Sequence, residues 1–162
     1  MELDLSTLTA ISPIDGRYAS KCSDLRSIFS EFGLMRFRVA VEVAWLKKLA
    51  ATPEIKEVPA FSQASIDYLD SIVNNFNIED AKAIKAHESV TNHDVKAVEY
   101  FLKDKAAQVP EINAVKEFIH FACTSEDINN NSHALMLNTA RKEIIEPLFN
   151  EYYHEDFSNQ LR

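Results

Sequence analysis

The chain has 162 residues and a formal net charge of −8, with 46% apolar and 26% charged residues, the composition of one globular domain and not of a disordered chain. An acidic balance with no run of Lys or Arg excludes a nucleic-acid or anionic-membrane surface, so an anionic ligand would need a local constellation to hold it. Two glycines and five prolines exclude a fold of many tight turns, and no Gly-rich phosphate loop can be written from Gly16 and Gly33.

Residues 1–18 lack clear periodicity and close on Ser12-Pro13-Ile14-Asp15-Gly16-Arg17-Tyr18, where Pro, Asp and Gly together predict a turn. On that bend Arg17 offers forked donors beside the Tyr18 hydroxyl, a pairing suited to phosphate; an ordinary surface turn is the alternative. A short helix is predicted over residues 24–32. Residues 34–50 carry two patterns. Phe37, Val39, Val41, Val43 and Trp45 alternate as in a strand, while Leu34, Phe37, Val41, Trp45 and Leu49 form one helical stripe. A run of this length without a breaker exceeds ordinary strands, so helix is predicted. Pro53 and Pro59 bracket a loop.

A helix is predicted over 62–76, then a short one capped at Asn77 and ending near Glu88. Residues 92–108 place Val95, Val98, Phe101 and Leu102 on one face. Pro110 opens another short helix to about Phe121. The last runs from Ser125 toward Tyr153, with a kink expected at Pro147. The fold class is therefore all-α.

Two segments share a local grammar. Thr91-Asn92-His93-Asp94 and Thr124-Ser125-Glu126-Asp127 each read as a capping box with Asp in place of Glu or Gln. Each puts polar side chains at a helix start, where free N–H groups and the positive dipole end favour an anion. Plain structural caps explain both as well, but Asn92, His93 and Ser125 are surplus to capping. His120 is placed one helical turn before Cys123 and Thr124, where a satisfied core histidine and a ligand-facing one are both open. A zinc site from His120, Cys123 and His133 fails on ligand count and spacing, so no metal is expected. His87 and His133 read as helix-surface residues, and His154 lies in the tail.

Cys22 and Cys123 make no disulfide framework. Met1 to Ala10 carries two acids and no basic residue, unlike a signal peptide, and no apolar run approaches the length of a membrane span. A cytoplasmic location is expected.

Taken together, Ser12-Pro-Ile-Asp-Gly-Arg-Tyr18, Thr91-Asn-His-Asp-Val-Lys-Ala-Val-Glu-Tyr100 and Phe118-Ile-His-Phe-Ala-Cys-Thr-Ser-Glu-Asp-Ile-Asn-Asn130 resemble the bacterial adenylosuccinate lyases, from about Leu8 to Leu148. The His-Phe-x-x-Thr-Ser-x-Asp pattern also suits the wider fumarase/aspartase superfamily. The resemblance implies a purine-biosynthesis lyase that releases fumarate from adenylosuccinate, giving AMP, and from the succinyl-carboxamide ribotide, by β-elimination without a cofactor. It implies an N-terminal helical domain over 1–123, bearing the nucleotide-binding turn, and the start of a central helical bundle over 124–162. It implies a homotetramer in the intact enzyme. By motif match Arg17 and Tyr18 hold the phosphate, and Asn92, His93 and Asp94 line the site, with His93 assisting. Thr124 and Ser125 bind a succinyl carboxylate, and His120 has a less defined place. The family's Thr-His-Gly segment with the general acid and its Gly-Ser-Ser loop with the general base are absent from these residues. The 162 residues alone are therefore expected to be inactive. Ser89-Val90 stand where the family has Arg-Thr. Two other readings remain at this point: a related fumarate-releasing enzyme of the argininosuccinate lyase type, and a helical interaction module without chemistry.

Overall fold

The computed structural model describes residues 6 and 8–160, with side chains through Tyr153. The described residues form helices and turns and no strand. Two compact units are present, one of residues 34–136 and one of the segments before 34 and after 136. Among the described residues no helix is long and apolar enough to cross a membrane.

In the terminal unit, residues 8–22 are a succession of turns, followed by a 3₁₀ turn Ser23–Leu25 and a short helix α1, Arg26–Phe29. The helix predicted to reach Phe32 stops three residues earlier. Ser30 is extended (ψ 170°) and accepts the Gly33 N–H at 3.2 Å, so it acts as the cap of the following helix α2, Glu31–Ala50. Gly33 is required at that junction, because a Cβ there would overlap the carbonyl of Ile28. Helix α7, Ser125–Ala140, which enters this unit at Leu137, is followed by a π-helical turn, Arg141–Ile145, and by α8, Glu146–Gln160. The irregularity expected at Pro147 thus lies in the turn before it, where a π register accommodates the missing N–H. His154 falls outside the described side chains.

The other unit is a helical core built on α2, which confirms helix over 34–50. Its buried stripe differs from the predicted one: Met35, Val39, Val43, Leu46 and Leu49 are buried, with the charged Glu42 among them. Leu34, Val41 and Trp45 are only partly covered. Phe37 and Leu49 of the predicted stripe are buried as well, and the charged Glu42 interrupts the apolar pattern of the buried face. Helix α3, Gln63–Asn74, is capped by Ser62 and buries Leu69 and Ile72. Helix α4, Ile78–Thr91, starts on a complete Asn77–Asp80 capping box and buries Ala81 and Ile84. It runs three residues past the predicted end. Helix α5, Asp94–Ala106, packs along α4 and buries Val95, Val98, Phe101 and Leu102 as predicted.

The helix predicted from Pro110 to Phe121 is instead α6, Pro110–Asn113, and a 3₁₀ turn, Lys116–Phe118. Ile112, Val115 and Ile119 must all be buried, and their spacing of three or four is met by short turns that change direction. The loop between Pro53 and Pro59 folds back, so that Val58 joins Leu49, Ala50 and Val115 in a second small core, with Trp45, Ile55 and Phe118 against it. Truncating a core residue such as Leu46 to Ala would cost about 2–5 kcal/mol.

Candidate functional site

The Arg17–Tyr18 turn belongs to the terminal unit. Backbone bonds from Gly16 N to Ser12 O (3.0 Å) and from Tyr18 N to Pro13 O (2.9 Å) wind the chain tightly. Gly16 is buried while Arg17 and Tyr18 are exposed, with the guanidinium carbon 5.0 Å from the ring centroid. This cation–π contact pre-orients a forked donor beside a phenolic hydroxyl. Ser12, Ile14 and Asp15 of the same turn line an open cavity of about 500 Å³ with Arg26 and Ser30.

The other predicted residues sit at helix ends along one side of α2. The first of them corrects the sequence reading. Thr91 is not a helix N-cap; it ends α4, and Asn92 takes the left-handed conformation (φ 51°) that closes it. The cap of α5 is His93, whose Nδ1 accepts the Lys96 N–H at 3.2 Å. Thr91 serves the turn instead, its Oγ1 accepting the His93 N–H at 3.3 Å. His93 is thus the cap itself and not a residue of the first turn, a place that Thr fills more commonly than His. With Nδ1 occupied, Nε2 is the nitrogen His93 can present outward.

Asp94, the first residue of α5, accepts a 2.6 Å bond from Nη2 of Arg38. Burial pushes its carboxyl up, but the Val95 N–H and the Arg38 guanidinium outweigh this and hold it below the ordinary aspartate range. The Nε of Arg38 donates to Asn129 Oδ1 at 2.9 Å. Arg38 is 7% exposed, so a nearly buried guanidinium on α2 clasps the first residue of α5 and the fifth of α7. Through Asp94 and Asn129 it ties the start of α5 to α7.

At the start of α7 the capping box is half formed. Asp127 accepts the Thr124 N–H at 2.7 Å, but the Thr124 hydroxyl donates to the same carboxylate at 3.0 Å and does not accept from the helix. These two bonds hold Asp127 below the ordinary range. Ser125 is the partly exposed hydroxyl next in line.

His120 is not in a helix. It and Ala122 are left-handed, with φ of 64° and 58°. Each such residue other than Gly costs about 1–2 kcal/mol. Contacts from α2 offset that strain. His120 Nδ1 lies 2.6 Å from Glu42 Oε1, and Trp45 Nε1 donates to the Phe121 carbonyl at 2.8 Å. Glu42 is completely buried, and burial raises its carboxyl above the ordinary glutamate range despite the opposing bond and charge of His120. Burial, with the charges of Glu42 and Asp127, pushes the Cys123 thiol up, away from thiolate chemistry. His133 is exposed, whereas His87 is partly covered and bonded to Asp104 at 2.8 Å. Among the described residues no three His, Cys, Asp or Glu side chains are grouped to hold a metal.

Arg38, Glu42 and Asn129 escaped the sequence reading. The available signal was two ionisable residues four apart, 38 and 42, inside an apolar helical run, which places both on one face. Buried charges of this kind demand partners, and the partners here are Asp94, Asn129 and His120.

An all-helical unit whose polar helix starts are gathered around one buried arginine is the arrangement found; a family described as Lyase matches residues 16–154. The chain belongs to that lyase family. Within it, the chain is 66% identical over 149 residues to the adenylosuccinate lyase of Escherichia coli (strain K12), covering 92% of this chain and 33% of the relative. It is 66% identical over 145 residues to that of Vibrio cholerae, covering 90% and 32%. It is 48% identical over 149 residues to that of Legionella pneumophila (strain Corby), covering 92% and 33%. The chain spans about a third of the length of the curated relatives it matches.

Proposed function

We propose that this chain forms the substrate-binding helical portion of an adenylosuccinate lyase. The observation that carries the reading is the likeness to adenylosuccinate lyases over nine-tenths of the chain. The reaction is the elimination of fumarate from adenylosuccinate to leave AMP, and from the analogous succinyl-carboxamide ribotide, in cytoplasmic purine biosynthesis. The Cβ proton leaves, the C–N bond breaks, and the departing nitrogen is protonated. The groups that move these protons belong to segments outside these residues. A polypeptide of these 162 residues alone is therefore expected to release no fumarate.

The roles of the residues follow from their chemistry. Arg17 and Tyr18 bind the phosphate, one by a forked charge and the other by a hydroxyl. Asn92, His93 and Asp94 line the succinyl side, with His93 Nε2 directed to the substrate. Thr124 and Ser125 receive a succinyl carboxylate at the start of α7, where the helix dipole favours negative charge. Asp127 already holds the Thr124 N–H and hydroxyl, so Ser125 is the forward donor and Thr124 shapes the turn. His120 supports that turn from behind. As the Cβ proton leaves, charge grows toward the carboxylate, and donors fixed in advance stabilise it. Residues 1–123 form the N-terminal domain in this reading and 124–162 open the central bundle of a homotetramer.

The test is fumarate release by the full-length protein carrying this segment, offered adenylosuccinate and argininosuccinate separately. Release from adenylosuccinate and none from argininosuccinate is expected. Release from argininosuccinate alone, or from neither, would overturn the reading; the first outcome would favour a related lyase and the second a non-catalytic module.

A further inference from the structure

A fully buried carboxylate with one unpartnered oxygen is costly to keep. Glu42 is 0% exposed, and its Oε2 has no hydrogen-bond partner. It borders a cavity of only about 10 Å³ whose other walls, among them Leu46, Leu102 and Ile112, are apolar. A glutamine or leucine would satisfy packing there at lower cost. The group that gives the charge a purpose is His120, 2.6 Å away through Nδ1 and 20% exposed at its side chain. A carboxylate on one imidazole nitrogen fixes the ring's orientation and directs the other nitrogen to a different partner.

We propose that Glu42 is a positioning residue: through its bond to His120 Nδ1 it fixes the imidazole with Nε2 turned away from the core, and it locks the left-handed 120–122 turn that presents Thr124 and Ser125. This rests on the reading of Ser125 as a substrate-binding group. The geometry favours a device over a simple strut. His120 and Ala122 both occupy backbone conformations that an unrestrained chain would leave, so the turn needs a tether at its start. Trp45, one turn along α2 from Glu42, holds the next residue through the Phe121 carbonyl. Two anchors one turn apart on one rigid helix thus hold His120 and Phe121 in the turn that leads into α7. The succinyl-binding turn inherits its precision from α2, not from its own sequence.

The experiment compares Glu42→Gln, His120→Asn and the double variant in the full-length protein. Glu42→Gln keeps the size and a carbonyl acceptor but removes the charge. It should lower kcat/KM for fumarate release from adenylosuccinate about ten- to hundredfold, by analogy with the loss when the partner orienting a metal-bound histidine is removed. The melting temperature should not fall, since a buried charge disappears. His120→Asn should lose a similar factor, and the double variant should be no worse than the poorer single one, because both act through one element. An active wild type with Glu42→Gln within twofold of it overturns the proposal, as do losses that multiply in the double variant. A wild type inactive on adenylosuccinate instead overturns the functional reading. In that case amide hydrogen exchange decides the positioning role: faster exchange at residues 121–124 in Glu42→Gln supports it, and unchanged exchange overturns it.

Discussion

Replacing Arg38 by Met keeps most of the aliphatic stem and removes the guanidinium that clasps α5 and α7. Two bonds are lost, to Asp94 at 2.6 Å and to Asn129 at 2.9 Å. Each bond to a charged group is worth about 1.5–3 kcal/mol. The Asp94 side chain is 49% exposed, so water recovers much of its share, and the sum falls to about 2–3 kcal/mol. For a chain of this length that is a fall of about 4–12 °C in Tm at neutral pH. The difference should depend on pH in a defined direction. The Asp94 carboxyl is held below its ordinary value, so its contribution is fully present above the unfolded value and is lost as pH falls through the folded one. Acidification below about pH 4 should therefore shrink the gap between wild type and Arg38→Met, leaving only the Asn129 part. Thermal unfolding of the two polypeptides at one fixed protein concentration, across that pH range, measures both quantities. A Tm difference below about 2 °C at neutral pH, or one that grows on acidification, would refute the clasp.

Gly33→Ala should destabilise the chain by about 1–3 kcal/mol, because the new Cβ meets the Ile28 carbonyl and not a yielding side chain; an unchanged or higher melting temperature would contradict this. Ile145, Leu148, Phe149, Tyr152 and Tyr153 are all exposed on the π turn and α8, and the first three with Tyr152 line an open groove of about 350 Å³. The 162-residue polypeptide should accordingly self-associate, and a monodisperse monomer in light scattering at high concentration would count against it.

Much of this architecture can be read from the residues. The capped start at Asn77 and the apolar face of α5 follow from local rules. The misses share a cause. Glu42 and Arg38 lie where periodicity demands apolar residues, and only their partners far along the chain explain them. Thr91 has the chemistry of an N-cap but remains helical, because α4 continues to it and the left-handed Asn92 makes the break. The strained conformation of His120 leaves no local trace, as neither glycine nor asparagine marks it. Arg17, His93 and Ser125 stood out by chemical type, whereas the side chains that hold them in place did not.

Under the proposed function, the Arg17 turn receives the phosphate while the starts of α5 and α7 receive the succinyl end. Steady-state kinetics of Arg17→Ala, His93→Ala and Ser125→Ala in the full-length protein tests it most directly. A phosphate lies away from the bond that breaks, so its contacts are alike in the ground and transition states, and their loss raises KM more than it lowers kcat. Arg17→Ala should lose about ten- to hundredfold in kcat/KM, the worth of one charge-assisted bond, chiefly through KM. His93→Ala and Ser125→Ala should lower kcat further than Arg17→Ala does, since their partner gains charge as the reaction proceeds. If Arg17→Ala lowers kcat as far as His93→Ala and leaves KM unchanged, the two ends of the substrate have been assigned the wrong way round.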